Sequence, residues 1–316
     1  MKTVFPYQQI KETYDSALIT FSESYQVHFC VRLFRATGEV KYLEIIRSYI
    51  KKNIKTLIAQ ISQLETIKPE DIAITEPIRG TILRNPIEHK RILRRQAYYK
   101  IHPKLKFYFD SIATIHFLYE FRVYTEEYES EISRIIKQYQ KFPWGECFIH
   151  RDHFLIHPVL YVNSMYQLHE MGMINSLLSL QQMVKADFSA DHLEDDEMLF
   201  DQLYVYTHLI INESSFYQHL LTDKQSLDFE WILDFFIRYI NEYKKQVNID
   251  LLVEILACFF LCKKSSIIEA EILNYLQTFF DPSIGYLKKD SQSTLQDMEH
   301  ANSIFLVYGL SSTNQH

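Results

Sequence analysis

Glycine is scarce in this chain, with six in 316 residues, where average usage of roughly 7% would give about 22. So little glycine leaves few positions for tight hairpins, phosphate-cradling loops or dinucleotide-binding turns. A β-sandwich, a Rossmann domain and a P-loop enzyme are therefore disfavoured, and a helical protein is favoured. Cysteine is also sparse: Cys30, Cys147, Cys258 and Cys262 form no Cys-x-x-Cys pair and no disulfide framework. Cys258 and Cys262, one helical turn apart among large apolar neighbours, read as buried thiols that fill core space. No run of about 18 uncharged apolar residues occurs, which argues against a membrane span. The longest candidate, 249–262, is interrupted by Asp250 and Glu254. The first 20 residues carry Lys2, Lys11, Glu12 and Asp15 and do not read as a signal peptide. A cytoplasmic, reduced setting is expected, although an effector exported without a cleaved signal would have the same sequence features. The formal charge of −7 argues against a surface built for nucleic acid.

What the chain has in plenty is aromatic and apolar residues at helical spacing, with 22 Tyr and 22 Phe among them. Residues 7–23, 25–36 and 40–66 read as helices, with Gly38 as the break before the third. Four prolines, Pro69, Pro77, Pro86 and Pro103, predict short helices across 67–104. From Leu105 onward a regular alternation begins: an apolar helix, a brief turn, an amphipathic helix, then a polar loop. The paired segments are 107–121 with 127–140, 157–171 with 175–188, 200–220 with 227–243, and 248–262 with 266–280. A single apolar helix at 299–310 follows. Repeats near 50 residues mark stacked helical hairpins. If the 7–23 helix packs beside 299–310, six hairpins close into an α/α toroid over 1–316, with 67–104 as an irregular basic insertion. The alternative is an open α-solenoid, whose ends should read as polar caps.

One segment adds a resemblance. Phe280, Asp281, Pro282 and Gly285 lead into a polar loop and then His300 at the start of a helix. This resembles the loop-to-inner-helix segment of α/α-toroid enzymes of the terpenoid-cyclase and lanthionine-cyclase-like type. The resemblance implies the toroid fold. It carries neither activity, because the Cys-His metal ligands of the lanthionine cyclases and the Asp-rich cyclase motif are absent from this sequence.

Candidate chemistry lies at the starts of the apolar helices. His150, Asp152 and His153 precede His157 and Pro158; three imidazoles in eight residues suit Zn, Fe or Cu, or serve as loop polar residues. Tyr204, His208 and Asn212 share one helical face and read either as a functional stripe or as satisfied core polar groups. Glu299, His300 and Asn302 open the last helix, and His116 and His28 are weaker candidates. Convergence of His157, His208 and His300, with His150 and His153 as alternates, would make an open metal site. Without a metal, a His beside Tyr204, Asp152 or Asn302 would run proton transfer. The expected function is thus a His-centred, metal-dependent enzyme acting on a small molecule or peptide.

The competing function is non-catalytic. Arg79, Arg84, Lys90, Arg91, Arg94, Arg95, Lys100, Lys104 and Lys106 face one acid, Glu88. They read as a solvated helix face, or as a scaffold surface for an acidic protein or peptide through Arg91, Arg94 and Arg95. The acidic residues Asp187, Asp191, Glu194, Asp195, Asp196 and Glu197 are a possible internal counterpart, either as pairing partners or as a lid.

Overall fold

The computed structural model describes residues 5–72, 86–122, 125–188, 195–243 and 248–313. Arg79, Arg84, Asp191 and Glu194 lie outside them. The described chain is all-α apart from one two-residue strand pair. Its contacts divide it into two compact units, Met1–Tyr49 with Leu209–His316, and Ile50–His208.

The first unit contains α1 (Tyr7–Ala17), α2 (Glu23–Thr37) and the start of α3 (Val40–Ile61). Gly38 ends α2 in the left-handed conformation, at φ 69°, and its N–H donates to the Phe34 carbonyl. The second unit runs from α3 through α4 (Pro86–Ile101), α5 (Pro103–Glu120), α6 (Glu129–Lys141), α7 (Trp144–Cys147), α8 (Arg151–Ile156), α9 (Pro158–Glu170) and α10 (Leu178–Phe188) into α11 (Asp196–Glu213). The first unit resumes in α11 and continues through α12 (Asp223–Asp228), α13 (Glu230–Tyr243), α14 (Ile249–Leu261), α15 (Ile267–Gln277), β1 (Phe280–Asp281), β2 (Tyr286–Leu287) and α16 (Glu299–Thr313).

The expectation of short helices across 67–104 needs correcting. Pro86 and Pro103 stand at the first position of helices of 16 and 18 residues. There the missing N–H costs nothing and the fixed φ favours helix initiation, so these prolines start helices.

Within each unit an apolar helix is followed by an amphipathic one, as the periodicity predicts. Nearly every residue of α14 is buried, whereas α15 buries only Ile268, Ile272 and Leu276. In the second unit α5 is buried on most sides, and α6 buries Ile132, Ile135 and Tyr139. Polar residues set the helix starts. Asn248 caps α14, and Ser266 with Glu269 makes a capping box at α15.

The two ends of the chain meet in the first unit, where α1 packs on α16. Tyr7 lies 4.9 Å from the ring of Phe305. A Cβ at Gly309 would overlap the Tyr7 ring, so glycine here is what permits the close approach. Gly309→Val is expected to lower Tm by about 2–6 °C in a thermal melt, because overpacking costs about 1–3 kcal/mol. An unchanged Tm would show that Tyr7 moves aside freely. The 280–287 segment is a hairpin tied to the same place. Gly285 takes φ 76°, and Asn302 clamps β2 from α16: its oxygen accepts from Leu287 N–H at 2.9 Å, and its amide donates to the Leu287 and Met298 carbonyls.

Candidate active site

The sequence-predicted residues fall into three environments. In the second unit, His150 is exposed, with Nε2 on the Glu146 carbonyl at 2.7 Å, and His153 binds the Phe148 carbonyl through Nδ1 at 2.8 Å. Their rings lie 5.0 Å apart, and His102 lies 6.5 Å from His153. Desolvation pushes the His153 pKa down. Asp152 is exposed at the start of α8.

His157 hydrogen-bonds the Tyr99 hydroxyl at 2.9 Å and packs edge-on against Phe109. Burial pushes its pKa well below the ordinary value, and the positive charges of Arg95, Arg91, Lys106 and Arg94 add to that. His208 binds the Asn163 side chain at 2.8 Å, and Tyr204 packs edge-on against Phe200. His116 pairs with Glu170 at 2.9 Å. His28, expected to point inward, is exposed on α2. Among the described residues, no three His, Cys, Asp or Glu side chains group as a metal ion requires.

The basic segment is not the open face that its charge suggests. Arg91 and Arg95 are buried, at 5% and 7% exposure. Arg91 and Arg94 both bind the buried carboxylate of Asp201 on α11, and Glu197 takes Arg94 and Lys90. The pairing of the basic segment with acidic residues, one of the options in the sequence, is therefore realised by Glu197 and by Asp201, which lies beyond the acidic loop. Arg151 takes Asp187 with a bidentate bond. Asn302, expected at a site, spends its amide on backbone groups as described above.

His300 has the richest surroundings, all within the first unit. Arg32 on α2 donates from Nη2 to His300 Nδ1 at 2.8 Å, and from Nη1 to Glu299 at 2.8 Å and Ser303 at 3.3 Å. His300 Nε2 lies 3.1 Å from Glu254 on α14. A guanidinium only donates, so Nδ1 is the accepting nitrogen. The ring proton therefore sits on Nε2, where it donates to Glu254. The result is a continuous chain Glu299–Arg32–His300–Glu254 drawn from three helices. Its two end carboxylates are buried, with side-chain exposures of 2% and 1%, while the imidazole is 39% exposed. One turn before Glu254, Asp250 has its pKa raised by burial and by the neighbouring Glu254 charge, against the lowering effects of His300, Lys289 and Arg32.

A distorted turn borders this chain. After α11, Ser215, Phe216 and Tyr217 take φ 50°, 54° and 73°, the region where a Cβ crowds the backbone. Each such residue costs on the order of 1–3 kcal/mol and persists only where neighbours impose it. Here Phe216 N–H donates to the Ile211 carbonyl at 2.9 Å and Tyr217 N–H to the Ser214 hydroxyl at 3.0 Å. Phe216 lies under the Arg35 guanidinium at 4.9 Å. Burial holds the Tyr217 phenol well above its usual pKa, with Glu254 and Cys258 reinforcing and Arg32 and Arg35 opposing. Cys258 and Cys262 are buried, as their apolar setting predicts, and burial pushes the Cys262 thiol up to about 12.

Sequence reasoning found His300 and Glu299 but assigned no site role to Arg32, Arg35, Asp250 and Glu254. The available signal was Asp250 and Glu254 at i, i+4 inside an otherwise apolar helix. A carboxylate at a core position needs a partner or a purpose.

The chain belongs to the family described as a domain of unknown function (DUF3541), whose sequence model matches residues 3–308. No curated protein and no solved structure matches the chain.

Proposed function

We propose that this DUF3541 chain is an enzyme that moves a proton on a small-molecule substrate, with His300 as the group that carries it. The supporting observation is the Glu299–Arg32–His300–Glu254 chain, which ends in buried carboxylates and exposes one imidazole. Glu254 accepts a hydrogen bond from Nε2–H, which fixes the tautomer that leaves Nδ1 as the base and favours the imidazolium once Nδ1 has gained a proton. Arg32 covers Nδ1, so substrate must draw the guanidinium aside before transfer. Asp250, one turn before Glu254 on the same helix, has its pKa raised by burial and by the Glu254 charge. The packing of α1 on α16 favours closed hairpins, the α/α toroid, over an open solenoid, whose ends would not meet.

The test incubates the full chain with the small-molecule fraction of a cell extract in deuterated water, read by mass spectrometry, with and without chelator. Wild type is expected to consume or deuterate compounds that His300→Ala leaves untouched, whether or not chelator is present. Identical profiles for the two proteins overturn the proposal. Activity lost on chelation and restored by Zn, Fe or Cu replaces it with the metal-dependent reading.

A further inference from the structure

Arg32 and Arg35 stand three residues apart on α2, the spacing that places two side chains on one helical face. Arg32 is held by Glu299 and reaches His300. Arg35 holds its guanidinium over the Phe216 ring, with Cζ 4.9 Å from the centroid. A guanidinium anchored over a ring keeps its planar fork of N–H donors in a restricted position, and that fork matches two oxygens of one anion. The ring under it is supplied by the left-handed turn at 215–217, which supports a recognition role for that turn. Tyr217 follows directly, and burial keeps its phenol protonated and able to donate. We propose that Arg32 and Arg35, with Phe216 as the platform, are the recognition half of the site, taking a carboxylate or phosphate group of the substrate.

This rests on the proton-transfer reading and deepens it. An anion that engages Arg32 competes with His300 Nδ1 for the same guanidinium, so binding the substrate's charged end uncovers the base. Glu254 and Glu299 balance the two arginines, so the anion gains its place by geometry and hydrogen bonding as well as by charge.

The experiment titrates inorganic phosphate and, separately, sodium acetate into the full chain, following arginine side-chain N–H signals by nuclear magnetic resonance. A saturable shift with either probe is expected, and the arm that responds tells phosphate from carboxylate. Arg35→Met is expected to weaken binding about tenfold or more, through loss of a bidentate, charge-assisted contact. Phe216→Leu, which keeps an apolar side chain but loses the flat face, is expected to weaken it about threefold. Arg238, which stacks on Phe235 at 5.7 Å and is exposed, serves as the control; Arg238→Met is expected to leave affinity unchanged. If Arg35→Met does not fold, Arg35→Lys takes its place, with a smaller expected loss because charge remains without the planar fork. No saturable shift with either probe, or equal affinity in wild type and the Arg35 variant, overturns the proposal. His300→Ala is expected to keep the anion response while losing turnover, so a failure of recognition and a failure of proton transfer are read separately.

Discussion

Asp201→Ala is expected to lower Tm by about 5–10 °C. Asp201 is 1% exposed and accepts from Arg91 and Arg94. Removing it leaves the buried Arg91 guanidinium without the carboxylate that offsets its desolvation. Breaking a buried pair in this way costs about 3–5 kcal/mol, more than the attraction itself is worth. The ion-pair origin of the effect makes a second expectation. Asp201→Leu combined with Arg91→Met should be less harmful than Asp201→Leu alone, since the double change removes both buried charges. A double variant whose loss equals the sum of the two singles would place the cost in packing.

Glu254→Gln is expected to reduce turnover by about 10²- to 10⁴-fold, or about 3–5 kcal/mol at 1.36 kcal/mol per decade, with little change in substrate affinity. Glutamine keeps the size and presents an oxygen to His300 Nε2–H, but it removes the negative charge that stabilises the imidazolium. The separation of turnover from affinity decides the point. A merely structural Glu254 would change Tm and leave turnover per folded molecule intact. Substrate-consumption kinetics on folded Glu254→Gln, with its melting curve, distinguish the two.

Both expectations come from charged residues buried in apolar helices, and they show where the sequence stopped informing. Hairpin order was readable because burial of one face imposes a 3.6-residue period whatever the neighbouring segment does. The helix near 248–262, its amphipathic follower, and the final helix at 299 all lie where the pattern puts them. The packing of the first helix on the last was readable for a related reason: an apolar terminal helix needs cover. Pro86 and Pro103 were misleading because proline alone does not reveal which side of a helix boundary it occupies.

The candidate site was legible only in part. His300 stood out by type and by position at a helix start, and it is the one candidate that the structure surrounds with Arg32, Glu254 and Glu299. His157 and His208 looked equivalent in sequence, yet His157 hydrogen-bonds the Tyr99 hydroxyl and His208 the Asn163 side chain, in different surroundings from His300. The basic run at 79–106 read as a solvated helix face or as a surface for an acidic partner. Its arginines are instead partly consumed by Asp201 and Glu197, about 110 residues later in the chain.

The sequence by itself determined that this protein is helical, where its helices alternate between apolar and amphipathic, and which residue types are available for chemistry. Those properties follow from local spacing and composition, which act within a few turns of the chain. Tertiary structure alone decided which charges meet. Arg32 and His300 are 268 residues apart, and 46 residues separate Glu254 from His300. Pairing over such distances depends on which helices the core brings side by side, and no period along the chain records it.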